Sequence, residues 1–585
     1  MGFVAQSILE DLGLILCVAA ATTVLFQLIR QPVVVGYLVA GMIVGPHVPI
    51  PLLADSGRID MLSDLGVILL MFGLGLEFSL RKLLRLGPTA GFVTALQVGL
   101  MIWLGFMVGR AMGWSKLESV FTGALLSISS STIVAKAFAE RPIAAEVRDL
   151  VFSVTLAEDL VAVMLLAILT ALASGAGLST SVMVHTVGRL ALFLTGLIGG
   201  GLLIVPFAMR RIVRLGSAET TLIASIGICF AFAILAQRAG YSVALGAFLA
   251  GSLVAESGAV ATIDGLVAPV RDLFGAVFFV SVGMMIDPPE ILAHWQALVV
   301  LVTVVLSGKL ASVSVAALLA GSPLRTSVQA GMSLAQIGEF SFIIAGVGTH
   351  THATREFLYT LAVAVSALTT FTTPFMIRAS IPFADFLARR VPAGLHSLQM
   401  MYHTMLERAR QTPLRQGSAG WPVITLASGA IAIASILILN EADPFGLTGI
   451  AARALNATDF RAGLVVDLGA LAVCIPFAAG MYIAAGRLAR SIAQHAIPAG
   501  AGEAAQTIDA VTAVLQATLL LVVVMPMLAL VQPFVASFEG IGALVIGVFL
   551  MFIVIWRGVR KMRGQLGKLG AVLTGGPVPA VEVNK

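Results

Sequence analysis

The chain is divided into apolar runs of the length that an α-helix needs to cross a lipid bilayer. Such a helix takes about 20 mostly apolar residues, and seventeen candidate runs occur along the 585 residues. Charged residues are only 11% of the chain, against about 25% in soluble domains. These features predict an all-α polytopic membrane protein. The runs fall at 11–29, 33–46, 62–76, 88–109, 117–137, 149–174, 184–209, 219–237, 242–256, 269–286, 296–319, 327–349, 356–378, 423–440, 462–487, 508–531 and 540–557.

The runs divide the sequence into three predicted parts. Residues 1–378 contain thirteen runs and are interpreted as one membrane domain. Residues 379–420 are polar and arginine-rich, which is typical of a cytoplasmic linker. Residues 421–585 contain the last four runs and a basic tail, which predict a C-terminal transmembrane extension. No cofactor or metal centre is expected, because the three cysteines lie in apolar runs without metal-ligand spacing.

The distribution of lysine and arginine predicts the orientation of the chain. With the N-terminus outside, the connections after odd-numbered runs are cytoplasmic, and most basic residues of the loops fall there. These residues include Arg81, Lys82, Arg85, Arg141, Arg148, Arg210, Arg211, Arg214 and Arg325. The bias predicts an external N-terminus and a cytoplasmic C-terminus, in a bacterial inner membrane. The net charge of +5 is therefore assigned to membrane topology, and no nucleic-acid partner is expected.

Two adjacent carboxylates, Glu158 and Asp159, lie in the middle of an apolar run at residues 153–173. A charged side chain at the bilayer centre costs about 2.5–3.5 kcal/mol on insertion scales. Such a group is found where it faces the protein interior or a water-filled cavity, and it usually marks an ion or proton pathway. The pair therefore predicts a transporter, with both residues as candidates for ion and proton binding.

Two other runs are interrupted by polar residues and glycine at membrane depth. One run contains SISSSTIVAKAF at residues 127–138, and the other contains SLAQIGEFSFIIAGVG at residues 333–348. Discontinuous helices at corresponding places in two halves of a chain indicate an inverted repeat with substrate near the midplane. Serine hydroxyls also bond to the carbonyls of their own unbroken helix, so both readings stay open from the sequence.

Seven segments with recognisable motifs occur in order within residues 1–378. They are GYLVAGMIVGP (36–46), LGVILLMFGLGLEFSLRKL (65–83), ISSSTIVAKAFAE (128–140), LAEDLVAVMLLAI (156–168), GAFLAGSLVAES (246–257), LFGAVFFVSVGMMIDP (273–288) and SLAQIGEFSF (333–342). Each segment alone is a weak signal, because apolar strings recur by chance. The ordered set resembles the monovalent cation:proton antiporter family 2, and within it the Kef-type potassium-efflux proteins.

The resemblance implies a thirteen-helix antiporter fold with inverted repeats and two crossing broken helices, extended here by four C-terminal helices. It also implies a homodimer that works by elevator-like alternating access. By this match, Asp159 alternately binds a monovalent cation and a proton, Glu158 precedes it, and Lys309 is the core lysine. Glutamate at position 158 departs from the glutamine typical of Kef-type members. The cytoplasmic nucleotide-binding domain of those proteins has no recognisable counterpart here.

Further polar residues are expected to support the carboxylates. Gln336 and Glu339 fall in the second interruption and would orient the site, although Glu339 is equally suited to a helix-terminal salt bridge. Lys309 would neutralise Glu158, either within the transport cycle or as a static buried pair. Hydroxyl oxygens suited to a cation are expected from Ser129, Ser130, Ser131 and Thr132.

The sequence therefore predicts a secondary active antiporter, not an enzyme, that exchanges a monovalent cation for protons. K⁺ is favoured over Na⁺ by the Kef-like segments. The expected partners are H⁺, the monovalent cation, membrane lipid and a second copy of the chain. One alternative is a ligand-gated, channel-like cation efflux pathway, for which no filter motif is evident. The other alternative is a non-transporting membrane sensor, against which the presence of Asp159 and Lys309 argues.

Overall fold

The structure, a computed structural model, describes residues 2–29, 31–47, 56–77, 88–139, 143–173 and 180–390, and parts of 421–524, of which the longest is 459–496. Within these ranges every regular element is an α-helix. The first nine helices are α1 (Gly2–Leu28), α2 (Val33–Val44), α3 (Ser56–Glu77), α4 (Pro88–Ala111), α5 (Lys116–Ser127), α6 (Ser131–Ala139), α7 (Ala145–Ala173), α8 (Thr180–Arg214) and α9 (Ala218–Arg238). The others are α10 (Val243–Ala255), α11 (Val260–Met284), α12 (Pro288–Ala293), α13 (Trp295–Leu319), α14 (Leu324–Ser333), α15 (Glu339–His350), α16 (Glu356–Arg390) and α17 (Asp459–Ala496).

The helices coincide with the apolar runs, and the prediction of an all-α polytopic membrane protein is confirmed. In the described part, ten helices are long and apolar enough to cross a membrane, and α2 and α10 are shorter apolar helices. Lipid offers no hydrogen-bond partner to a peptide group, so a crossing segment must bond its backbone within its own helix. Each of the thirteen runs before residue 379 coincides with one helix or, at the two interruptions, with two.

Local hydrogen bonds set where several helices begin. The Ser115 hydroxyl accepts from the Glu118 amide (3.1 Å), and the Glu118 carboxylate accepts from the Ser115 amide (2.9 Å). This reciprocal pair satisfies two of the amide groups that lack a partner at the start of α5. At the start of α9, the Ser217 hydroxyl accepts from the Thr220 amide (3.2 Å). The turn before it passes through Gly216 at φ 74°, a left-handed conformation that glycine adopts without strain.

Residues Met1–Gly91, Leu104–Leu310 and Met332–Arg378 form one compact unit, in which small residues bring helices into close contact. A Cβ atom added at Gly41 of α2 would overlap the Val280 carbonyl of α11. A Cβ atom added at Gly75 of α3 would overlap the Phe248 carbonyl of α10. Close backbone approach at glycine is a common way for helices to associate in lipid, where no hydrophobic effect drives them together.

A second compact unit comprises Phe92–Trp103, Ala311–Gly331 and Ala379–Lys585. Within it, the Arg325 guanidinium lies 2.9 Å from the Asp385 carboxylate. A small apolar core in the same unit is formed by Leu426, Met481, Ala484, Ala485 and Leu488.

The structure covers the predicted C-terminal parts unevenly. Helix α16 continues to Arg390, so residues 379–390 of the expected linker are helical. The remaining linker residues, 391–420, lie outside the described residues. Of the four C-terminal runs, 462–487 falls on α17, 423–440 and 508–531 are described only in part, and 540–557 lies outside the described residues.

Candidate ion-binding site

Two membrane-depth helices are broken where the sequence places polar residues and glycine. Residues 128–130 separate α5 from α6, and residues 334–338 separate α14 from α15. Ile128 (φ −102°, ψ 131°) and Gly338 (φ −100°, ψ −176°) both have extended backbones. The alternative in which the serines bond back to an unbroken helix is therefore wrong. Each break frees backbone groups that need other partners at membrane depth.

The two breaks supply many of those partners to each other. The Gly338 amide donates to the Ile128 carbonyl (3.0 Å). The Gln336 side chain accepts from the Ser130 amide (2.9 Å) and donates to the Ser130 carbonyl (3.2 Å). A Cβ atom at Gly338 would lie 2.8 Å from both the carbonyl carbon and the oxygen of Ser129, so the approach requires glycine. The predicted meeting of two broken helices is thus present in the fold.

Hydroxyl groups on neighbouring segments complete the hydrogen bonding of the breaks. The Thr369 hydroxyl accepts from the Ile337 amide (3.4 Å), and the Ser366 hydroxyl donates to the Ile337 carbonyl (3.2 Å). The Ser341 hydroxyl donates to the Leu125 carbonyl (2.7 Å). Sequence reasoning missed Ser366 and Thr369. The signal for them is the hydroxyl-rich string SALTTFTT at residues 366–373, within an apolar run.

Glu158 and Lys309 meet at the first break, and both side chains are fully buried. The Glu158 carboxylate accepts from the Ser129 amide (2.7 Å), and the Lys309 ammonium donates to the Ser129 hydroxyl (2.6 Å). Lys309 Nζ lies 4.0 Å from Glu158 Oε2. Glu158 Oε1 is buried and accepts no hydrogen bond from the residues described. The two opposite charges are therefore attached to the backbone of the break through Ser129.

Asp159 differs from its neighbour in having no such attachment. Its side chain, on α7, is 4% exposed, and it forms no hydrogen bond or ion pair with any residue in the described ranges. Glu339, Glu158 and Glu77 act on it electrostatically, and all three are acids. A buried carboxylate among other acids attracts a positive ion, since the Coulomb energy grows as the local dielectric constant falls.

The remaining predicted site residues lie close to the breaks in the chain. Ser131 and Thr132 begin α6; Ser131 is half-buried, and Thr132 is exposed. Glu339 is the first residue of α15 and is half-buried. The start of a helix is a favourable place for an acid, because the helix dipole is positive there. Among the described residues Glu339 has no ion-pair partner, so the salt bridge considered for it is not formed with them.

Known proteins are similar to this chain in the part that contains the site. A model of the transmembrane sodium/hydrogen exchanger family matches residues 13–379. K(+) efflux antiporter 5 of Arabidopsis thaliana is 31% identical over 378 residues, which cover 63% of this chain and 66% of that protein, just under two thirds of its length. The K(+)/H(+) antiporter subunit KhtU of Bacillus subtilis is 30% identical over 352 residues, covering 58% of this chain and 85% of that protein.

One solved structure supports the same fold. The sodium proton antiporter MjNhaP1 from Methanocaldococcus jannaschii matches with a TM-score of 0.50 and 15% sequence identity. The match covers 66% of this chain and 99% of that chain. At this identity the likeness concerns the fold alone. Both broken helices and the adjacent carboxylates Glu158 and Asp159 of α7 lie within the residues that the family model matches.

Proposed function

Because the chain belongs to the transmembrane sodium/hydrogen exchanger family, we propose that it is a secondary active antiporter that exchanges a monovalent cation for protons. The family is one of transmembrane transporters. The resemblance to Kef-type proteins is confirmed by relatives named as K(+) efflux antiporters. The observation that carries the proposal is Asp159, a nearly buried carboxylate beside the breaks that is bonded to no described residue.

Asp159 would couple the two fluxes by binding one ion at a time. A carboxylate holds either a proton or a hard monovalent cation, so each ion must leave before the other binds. If the protein exposes Asp159 alternately to the two sides of the membrane, this competition converts a proton gradient into cation movement. Hydroxyl oxygens of Ser130, in the first break, and of Ser131, the first residue of α6, are suited to complete the shell of a dehydrated cation.

Glu158 and Lys309 would have a different role from Asp159. Their charges are opposite, and both are attached to Ser129 at the break. Since the pair sums to zero charge, it would add no net charge beside Asp159. We therefore propose that the pair holds the crossing of the broken helices in place during exchange and does not itself carry the cation.

We propose K⁺ as the preferred cation, with Na⁺ as the competing candidate. The similar proteins include several named for K⁺ efflux or K⁺/H⁺ exchange. Glutamate at position 158, in place of the glutamine typical of Kef-type members, is the feature that bears most directly on this preference.

The test is cation-triggered collapse of a proton gradient in everted membrane vesicles, measured separately with K⁺ and Na⁺. We expect wild-type protein to collapse the gradient with K⁺ and Asp159→Asn to have no activity. The matched control is Asp149→Asn on the same helix, since Asp149 is 75% exposed and lies away from the breaks. Wild-type exchange by a folded and inserted Asp159→Asn protein would refute the proposal. Cation flux without proton counterflow would instead favour the channel-like alternative.

We further propose that the protein is a homodimer in a bacterial inner membrane, with its N-terminus outside and its C-terminus in the cytoplasm. The basic residues of the predicted cytoplasmic connections support this orientation. Fusions of alkaline phosphatase to the two termini test it, because that enzyme is active only outside the cytoplasm. Cross-linking in native membranes tests the dimer.

A further inference from the structure

Both backbone groups of Ile337, in the second break, are bonded to side chains of α16. The Thr369 hydroxyl accepts from the Ile337 amide (3.4 Å), and the Ser366 hydroxyl donates to the Ile337 carbonyl (3.2 Å). All three residues are buried, and Ile337 and Thr369 are fully inaccessible. A buried peptide group outside a helix needs a partner from elsewhere in the fold, and α16 supplies both partners here.

The two hydroxyls have fixed and opposite hydrogen-bonding roles. The Thr369 hydroxyl donates its one hydrogen to the Val365 carbonyl of its own helix (2.8 Å), so towards Ile337 it acts as an acceptor. The Ser366 hydroxyl donates its hydrogen to the Ile337 carbonyl. Ser366 and Thr369 are three residues apart, which places them on one side of α16. Together they fix both backbone groups of Ile337, a residue that lies outside any helix.

Ile337 stands just before the start of α15, whose first residue is an acid. That residue, Glu339, follows Ile337 by two positions, and α15 packs against α7, the helix of Asp159. Of the three acids that act electrostatically on Asp159, Glu339 has the largest effect. The charge of Glu158 is offset by Lys309, whereas Glu339 has no ion-pair partner among the described residues. The position of the second break therefore decides how strongly the charge of Glu339 acts at Asp159.

We propose that Ser366 and Thr369 are positioning residues, which hold the second break where the Glu339 carboxylate stabilises a cation bound at Asp159. The proposal rests on the proposed antiport function and deepens it, by naming residues that set the cation affinity of the same site. The two hydroxyls act through the backbone of Ile337, because their hydrogen bonds are made to it. Coulomb energy depends on the separation of the charges and grows as the local dielectric constant falls, so a small displacement of Glu339 changes the affinity.

The experiment measures equilibrium binding of radioactive Rb⁺, as a K⁺ analogue, and of radioactive Na⁺ to purified protein in detergent. Alkaline pH is used, because protons compete least there. Glu339→Gln should weaken cation binding about three- to tenfold, the effect expected of one screened unit charge near the site. Ser366→Ala combined with Thr369→Val should weaken it about two- to tenfold, and by no more than Glu339→Gln does. Added to Glu339→Gln, the hydroxyl changes should have no further effect, because the charge that they position is gone.

Two control variants separate positioning from general damage to the fold. Thr369→Ser keeps a hydroxyl at the same place and should have wild-type affinity. Thr373→Val makes the same change one turn later on α16, at a buried residue whose hydroxyl donates to the Thr369 carbonyl of its own helix (2.8 Å). It should leave the affinity unchanged. Ser366→Ala and Thr369→Val are also measured singly, so that the comparison stands if the combined variant does not fold.

The outcomes distinguish this proposal from the antiport function on which it rests. If the hydroxyl changes weaken binding by the same factor with and without Glu339→Gln, they act on the fold alone and the positioning role is overturned. Unchanged affinity in the hydroxyl variants, or in Glu339→Gln itself, overturns it as well. A wild-type protein that shows the expected binding pattern but no exchange in vesicles would refute the antiport function and leave the positioning role standing. Wild-type protein that binds neither ion would refute both.

Discussion

Removing both partners of the buried Glu158–Lys309 pair should cost clearly less stability than the sum of the two single losses. The two charged atoms lie 4.0 Å apart, and both side chains are fully buried. With an effective dielectric constant of about 20, a pair of unit charges at this distance is worth about 4 kcal/mol. Loss of one partner leaves the other charge buried and uncompensated, for which about 3–5 kcal/mol of destabilisation is typical.

The comparison uses Glu158→Gln, Lys309→Gln and the double variant. Glutamine at 158 keeps an oxygen that accepts from the Ser129 amide, so the substitution removes the charge and retains the hydrogen bond. Each single variant should melt well below wild type in detergent. The double variant should be more stable than the two single effects predict, by a coupling energy of about 2–3 kcal/mol.

The measurement is thermal unfolding of purified protein, followed by tryptophan fluorescence and by loss of the monodisperse peak in size-exclusion chromatography. As a matched control, Lys309→Gln is combined with Arg355→Gln. The Arg355 side chain is bonded to Glu118 at the opposite end of α5 from the break, so the melting shifts of these two changes should add. If Glu158→Gln and Lys309→Gln are also additive, the two residues do not interact and the reasoning is refuted.

Three further predictions concern other contacts. Gly338→Ala should abolish exchange and lower the melting temperature, because the added Cβ clashes with the backbone of the first break. Gly227→Ala, which has open space around it, should be neutral in both measurements. An active and stable Gly338→Ala protein would contradict this. Glu118→Ala should destabilise the folded protein by about 2 kcal/mol, because it removes the helix cap and the bidentate contact to Arg355 at 2.6 and 3.0 Å. Glu118→Gln should destabilise it less, and thermal melting of the two variants measures the difference. A chain that ends at Arg390 should still exchange a cation for protons in vesicles, because the family match ends at residue 379. Its melting temperature should be lower, because the second compact unit loses most of its residues. Complete loss of exchange from a folded, inserted protein would make the extension part of the transport machinery.

The helices could be predicted because their cause is local. A run of apolar residues in lipid has few ways to satisfy its backbone other than a helix, so each run before residue 379 coincides with helical structure. The two breaks were also visible, because serine, glutamine and glycine at membrane depth are costly without a structural reason. The sequence did not show whether the serines interrupt the helix or bond to the carbonyls of an unbroken one. That choice depends on the hydrogen-bond partners that other segments offer.

The sequence by itself determined the membrane class, the positions of the spans and the carboxylates at bilayer depth, because each of these follows from residues that are neighbours in the chain. Only the tertiary structure decided that Gly338 meets the first break, that Ser129 is the point to which Glu158 and Lys309 both attach, and that Asp159 stays unattached. These contacts join residues up to about two hundred positions apart, and no local pattern encodes the distance between them.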